Sequence, residues 1–396
     1  MNNKLNNNGK TILLLTTEFH DQLIGGLGRH VNDLVRTGSK HRMTFIVITT
    51  SHTGQESYSV EEEGIHIFRL LPWQEESVDV SDYFRNLNFR FIQFILQDLH
   101  LQFDIVHVHD WFFAIAGCQI KKLLKKPLVS TFHSTELERK QFNNGKAIPQ
   151  ILEYEDQLLL ISDHIIVCSD YMKNILIKRR ANRNKSISVI PNGIIIDDFS
   201  KILSGDDALK RFPFIKTPFL LGMGRLVKEK GFHFLIEAFL KIHGDHPTLK
   251  LVIAGIGPFE NQLKQLIELY GLESKVIFVG FLKEIERNTL LSMCEILVVP
   301  SLYEPFGIVA LEGMAFGKPV LAFKTGGLIE ILQDLDGMIV DQVSNSNLAE
   351  KLHYCLQHPK EMKKIAEQGY QAVIDNYQWF SIIKKTIAVY NKMVCK

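Results

Sequence analysis

Cysteine is scarce in this chain and follows no pairing pattern. Among 396 residues there are five, Cys118, Cys168, Cys294, Cys355 and Cys395, with no C-x-x-C. That excludes a disulfide framework or a structural zinc site and indicates a reducing, cytoplasmic setting. Long apolar runs are missing too: no stretch of 18 apolar residues occurs, so no segment is expected to span a membrane. The first apolar run, Ile12 to Leu15, is too short for the core of a signal peptide. Neither charge is in excess. The 45 basic residues face 44 acidic ones, and the balance holds in each half, which excludes a nucleic-acid binder that works by net charge.

What the chain does have is 46% hydrophobic residues, enough for two domains that each bury a core. Short apolar, β-rich runs alternate with helical patterns. In the first half they are Ile12–Thr16, Phe45–Thr49, Ile65–Leu70, Ile105–Val108, Leu128–Thr131, Ile165–Val167 and Ile187–Ile190. In the second half they are Phe219–Leu221, Leu249–Ala254, Val276–Val279, Ile296–Val299, Val320–Ala322 and Met338–Val340. Strands this apolar are buried on both faces, and with helices such as Phe234–Ile242 and Asn261–Leu269 between them they predict α/β, parallel, doubly wound sheets. Two sets predict two Rossmann-like domains, residues 1–200 and 201–376. The segment Asp197 to Thr217 lacks a strand pattern and reads as the linker.

In open α/β sheets ligands bind at the carboxyl ends of the strands, and the distinctive motifs fall there. Pro300 to Pro319 combines the end of a buried strand, a loop broken by Pro305 and Gly307, and a helix face at Ile308, Val309, Leu311 and Met314. The free N–H groups of that first helical turn, with the helix dipole, suit a phosphate. Glu304 in the loop and Glu312 in the helix read either as sugar-hydroxyl acceptors or as an ordinary exposed pair. Gly25-Gly26-Leu27-Gly28 precedes a helix expected to start near Arg29. It is either a plain turn or a place where backbone approaches a ligand, and it does not spell a dinucleotide fingerprint. Arg225 and Lys230 flank a turn; they are two solvated charges or a bidentate and a point cation on a diphosphate. His107 and His109 share one side of a strand, as metal ligands would, but no third and fourth ligand stand at metal-site spacing, so no metal is expected. His133 follows another strand and reads as a structural or an active-site histidine. Phe84, Arg85, Phe89, Arg90, Phe91 and Phe94, with Lys121, Lys122, Lys125 and Lys126, read as a weak contact for an anionic membrane or as a core-facing helix beside a solvated lysine face.

Glu304-x7-Glu312 with Phe306-Gly307 between them resembles the E-x7-E signature of family 4 glycosyltransferases, the group that includes glycogen synthases. The resemblance covers nearly the whole chain. It also rests on Gly25-Gly26-Leu27-Gly28, His107-Val108-His109-Asp110-Trp111, Thr131-Phe132-His133-Ser134-Thr135-Glu136, Pro191-Asn192-Gly193, Gly224-Arg225-Leu226-Val227-Lys228-Glu229-Lys230-Gly231 and Gly326-Gly327-Leu328-Ile329-Glu330, in that order. One departure is Ile195, where the family often has Asp.

The resemblance implies the GT-B fold, two domains facing each other across a cleft, with a last helix (377–396) that returns to the first domain. It implies a retaining glycosyltransferase that moves a hexosyl group from a nucleoside-diphosphate sugar to a hydroxyl acceptor, a glycan, a lipid-linked or a small molecule, with no cofactor. Donor contacts would come from Gly26, Gly28, Arg225, Lys230, Glu304, Phe306, Gly307, Ile308 and Glu312. Asp110 and Trp111 would border the acceptor, and His133 would lie near the reacting sugar. A binding protein of this fold without turnover and a sugar-nucleotide epimerase are the alternatives. Intact Arg225, Lys230, Glu304 and Glu312 argue against the first, and the E-x7-E set with the glycine loop argues against the second.

Overall fold

The protein is described here by a computed structural model covering residues 9–20, 25–61, 64–73, 79–142, 145–179, 186–335 and 337–394. It divides into two compact units. The first comprises Met1–Lys140, Lys146–Gly193 and Trp379–Lys396; the second comprises Ile194–Gln378 with Gln141–Gly145.

The first unit is built on β1 (Thr11–Leu15), β2 (Thr44–Thr50), β3 (Ser57–Glu61), β4 (Ile65–Leu70), β5 (Ile105–His109), β6 (Leu128–Phe132), β7 (His164–Val167) and β8 (Ile187–Val189). Their order in the sheet is β3-β4-β2-β1-β5-β6-β7-β8, parallel except for β3 on β4. The sequence reading missed β3, because four of its five residues are exposed and carry no apolar run. It is an edge strand held by pairing with β4 and by Tyr58 stacked on Phe68, ring centroids 4.4 Å apart.

The second unit contains β9 (Phe219–Met223), β10 (Lys250–Ala254), β11 (Val276–Gly280), β12 (Ile296–Val299), β13 (Val320–Phe323) and β14 (Ile339–Val340), ordered β11-β10-β9-β12-β13-β14 and all parallel. The central strands are buried along their length, as the apolar runs require: Leu220, Leu221, Leu251, Val252, Leu297 and Val298 have no exposed surface. Residues 197–217 form no strand. They hold a 3-10 turn, Ile196–Ser200, and a helix, Gly205–Arg211, capped by Ser204, whose Oγ accepts the Asp207 N–H.

In the second sheet, and among the parallel strands of the first, the strand order reverses once. β1 lies between β2 and β5, and β9 lies between β10 and β12. A ligand crevice forms beyond the carboxyl ends of such a pair, because the connections leave in opposite directions. The loops after β5 and the loops after β9 and β12 are therefore the places to look for chemistry.

The helix Trp379–Val394 packs within the first unit. Trp379, Ile382, Ile383, Thr386, Val389, Tyr390 and Met393 recur at helical spacing and are buried. Gly193 lies against it: a Cβ there would come 2.8 Å from Trp379 Cγ, so this contact admits no side chain.

Candidate active site

In the second unit the turn after β9 and the loop after β12 are tied together. The backbone carbonyl of Glu229 accepts the Leu302 N–H at 2.8 Å. Gly231, with φ 68°, approaches Pro300 so closely that a Cβ would stand 1.9 Å from its carbonyl oxygen. This closeness carries Lys230 to Glu304: Nζ lies 2.5 Å from Oε2, and Ser301 Oγ donates to the same oxygen at 3.2 Å. Arg225 lies at the start of the same turn, just over half exposed, with Glu229 Oε1 4.0 Å from its guanidinium. Two cations at a switch point, one of them largely free to solvent, suit an anionic ligand.

The loop then turns into the helix Ile308–Ala315. Gly307 at φ 112° makes the turn, and a Cβ there would come within 2.6 Å of Leu328 Cδ2. Phe306 is buried, and Gly327 packs under it, donating its N–H to the Glu304 carbonyl at 2.9 Å. The first N–H groups of the helix, at Ile308 and Val309, have no acceptor within the helix itself, so this N-terminus presents partial positive charge. Glu312 lies deeper than the sequence suggests. It is buried, and its Oε1 is 3.6 Å from Arg287 Nη1, a partner that sequence reading did not identify. Spacing could not reveal it, because Arg287 comes from a separate helix, Glu284–Met293.

In the first unit the helix after β1 starts at Gly26, three residues earlier than expected. Gly26 is therefore exposed in the first turn while Gly28 is buried, and the Gly25 N–H donates to Glu18 Oε2 at 2.9 Å. Asp110 and Trp111, which the resemblance places at the border of the acceptor, are both buried. Trp111 is only 3% exposed, its ring 5.1 Å from that of Phe84 and 6.2 Å from that of Tyr154, because the apolar face of the helix Val80–Gln93 closes over it. Asp110 is buried at φ 54°, and its Oδ1 accepts the backbone N–H groups of His133 at 2.7 Å and Ser134 at 3.4 Å. Burial pushes its carboxyl up to about 6. Its work is to fix the loop that carries His133.

The histidines separate into two sets. His107 is saturated by Tyr390 Oη at 2.7 Å and Thr131 Oγ1 at 2.8 Å. His109 Nδ1 instead meets His133 Nε2 at 3.0 Å, and His30, which sequence reading passed over, places its ring centroid 4.6 Å from that of His133. Burial holds all four neutral: His30, His107 and His109 lie well below the usual histidine range, and His133 is brought down to about 4.

The aromatic and basic residues proposed for a membrane face are divided by the fold. Phe84 and Phe91 are core residues, Phe91 stacked on Phe113 at 4.3 Å. Arg90 pairs with Glu56 and Lys121 with Asp163. Part of the helix thus faces the core, while Arg85, Phe89, Lys122 and Lys125 remain exposed. Among the described residues no helix is long and apolar enough to cross a membrane, and Cys118, Cys168, Cys294 and Cys355 are buried.

Strand ends at a sheet's reversal point that carry two cations, an E-x7-E pair and a glycine-led helix are the marks of a sugar-transferring enzyme built from doubly wound sheets. Comparison with known proteins agrees. The family described as "Glycosyltransferase Family 4" matches residues 24–198, and "Glycosyl transferases group 1" matches residues 207–372. Glycosyltransferase YqgM of Bacillus subtilis is 30% identical over 383 residues, covering 96% of this chain and 98% of its own. Glycogen synthase of Mycobacterium tuberculosis is 28% identical over 400 residues, covering 96% and 94%. The chain belongs to the family 4 glycosyltransferases. Solved structures share its GT-B fold. Sucrose-phosphate synthase from Thermosynechococcus elongatus superimposes with a TM-score of 0.85 at 21% identity, over 98% of this chain and 99% of that one. Anabaena HepE in complex with UDP and glucose does so with 0.75 at 20%, over 97% and 100%.

Proposed function

We propose that this glycosyltransferase moves a hexosyl group, glucose or a close relative, from a nucleoside-diphosphate sugar to a hydroxyl acceptor with retention of configuration, in the synthesis of a glycan, polysaccharide or glycolipid. The observation that carries the reading is the juxtaposition of Arg225, Lys230, Glu304 and the Ile308 helix N-terminus at the reversal point of the second sheet. The nucleotide and sugar seen with HepE support the donor class.

Cleaving the donor leaves a diphosphate and a sugar with oxocarbenium character, so the main task is to stabilise charge that grows on phosphate. Arg225, Lys230 and the free amides of Ile308 and Val309 supply that stabilisation, and in this reading they stand in for a metal. Gly307 keeps the approach to the amides open, and Phe306 walls the loop. Glu304, held by Lys230 and Ser301, accepts hydrogen bonds from the sugar hydroxyls. Glu312, oriented by Arg287, takes the ribose. At the first unit's sheet end His133 serves the reacting sugar, by ring or by backbone carbonyl, with Asp110 setting its loop. Gly26 and Gly28 let backbone come near a donor phosphate.

A double-displacement route needs a carboxylate nucleophile. Glu304 is committed to an ammonium and Asp110 to two amides, which supports attack on the same face as departure, the leaving phosphate oxygen taking the acceptor proton. The test is a donor panel with mass-spectrometric product detection and NMR of the new anomeric centre. A retained centre and a released nucleoside diphosphate are expected. An inverted centre, an interconverted donor sugar or donor binding without any turnover would each overturn the reading.

A further inference from the structure

His30 on the helix Gly26–Lys40, His109 at the end of β5 and His133 after β6 converge, so that a ring nitrogen of each lies within 4.8 Å of those of the other two. His30 and His109 are buried and His133 is half-buried. His30 Nδ1 is buried and has no hydrogen-bond partner among the described residues, which is costly unless something else occupies the site.

We propose that these three imidazoles form a binding site for a borderline divalent transition metal such as zinc. Burial keeps the rings neutral, the form that ligates. In a tetrahedral zinc site with Zn–N of about 2.0–2.1 Å, ligand nitrogens stand about 3.3 Å apart. His109 and His133 are already at 3.0 Å, and the third ring, whose nitrogen lies within 4.8 Å of theirs, needs to close in by about 1.5 Å. Binding breaks the His109–His133 hydrogen bond, and its proton passes to the other nitrogen of the ring that holds it, so no proton is released. An all-imidazole set favours zinc, cobalt, nickel or copper over magnesium or calcium, which take oxygen ligands. The carboxylate next to His109 in the chain, Asp110, has its Oδ1 occupied by two amides. Three protein ligands leave the fourth position open. His107, bonded at both nitrogens to Tyr390 and Thr131, stays outside the set.

The experiment uses the full chain, stripped with a chelator and titrated with Zn²⁺ by equilibrium dialysis and with Co²⁺ by visible absorption. One equivalent of zinc, a tetrahedral cobalt spectrum and a raised melting temperature are expected, unaffected by excess Mg²⁺. His30→Gln and His109→Gln should each weaken zinc binding by at least about 100-fold, the upper end of what losing even an outer partner costs. His353→Gln, which removes half of the separate His246–His353 pair, should leave it intact. No stoichiometric binding to the unsubstituted chain would overturn the proposal, and so would undiminished binding by folded His30→Gln and His109→Gln. The unsubstituted chain's cobalt spectrum carries the test even if both variants fail to fold. A further consequence rests on the placement of His133 beside the sugar: bound zinc should inhibit turnover, reversibly by chelator. Full turnover with zinc bound would leave the metal site standing and overturn that placement instead.

Discussion

The ammonium of Lys230 and the carboxylate of Glu304, 74 positions apart in the chain, meet at 2.5 Å. Each therefore holds the other in position, and in the proposed reading the pair acts as one unit at the donor phosphates. Arg225→Ala and Lys230→Ala should each lower kcat by about 100-fold to 1,000-fold with a smaller change in KM, because negative charge on the diphosphate grows as the bond breaks. Lys230→Ala and Glu304→Ala should be non-additive in a double-mutant cycle, whereas residues that act alone would add. Steady-state kinetics on folded variants with one accepted donor decides this. A raised KM with intact kcat for the cation variants would place them in ground-state binding only.

Glu312→Gln should behave differently, weakening donor binding more than turnover, since a ribose contact changes little along the reaction. Glu312→Ala should also destabilise the second unit, by about 1–3 kcal/mol, because it removes the buried carboxylate that the Arg287 guanidinium meets. Thermal melts of the two variants separate the effects: a Gln variant with native stability and lost kcat would refute the ribose assignment.

Asp110 occupies φ 54°, ψ −170°, a region that suits almost only glycine, and it is held there by the His133 and Ser134 amides. Asp110→Asn keeps an acceptor oxygen and should retain most stability. Asp110→Ala keeps the strain and loses the acceptor, at about 2–4 kcal/mol. Asp110→Gly removes strain and acceptor together and should fall between them. Denaturant midpoints rank the three, and an Ala variant as stable as the Gly variant would show that the backbone there is unstrained.

Acid should destabilise the first unit more than the second. His30, His107, His109 and His133 have folded values below the unfolded 6.5, His133 at about 4. Between those values the unfolded chain binds more protons, so their stabilisation is complete above pH 6.5 and lost as pH falls toward 4, at about 1.4 kcal/mol per pH unit for each ring. Asp110 and Glu155, raised to about 6 and about 7, act in the opposite sense and lose stabilisation as pH rises through those values. Four rings against two carboxyls leave a net loss on acidification below pH 6. Hydrogen exchange at pH 7 and pH 5 should show the first unit opening earlier at the lower pH. Equal protection in both units would contradict the assignment.

Activity should survive a chelator, because the diphosphate has Arg225, Lys230 and a helix N-terminus to meet it. Assays in EDTA, with and without added magnesium or manganese, check this. Loss in EDTA with rescue by magnesium would overturn the metal-free reading.

By itself the sequence determined the two doubly wound units, the strandless stretch at 197–217, the order of motifs and the cations at the second switch point. These are carried by local quantities: apolar runs of strand length, glycines where the backbone must turn, and motifs spaced within one loop. What the tertiary structure decided involves partners distant in the chain or surfaces whose fate depends on packing. β3 has no apolar pattern and exists through its neighbour β4. The Phe84 helix could face a membrane or the core by its sequence, and its packing on Trp111, from a separate part of the chain, buries both Phe84 and Trp111. Glu312 met Arg287, and His30 joined His109 and His133, because helices and strand ends from separate parts of the chain converge there. Burial then set the charge of those histidines, a quantity fixed by surroundings that no stretch of sequence contains.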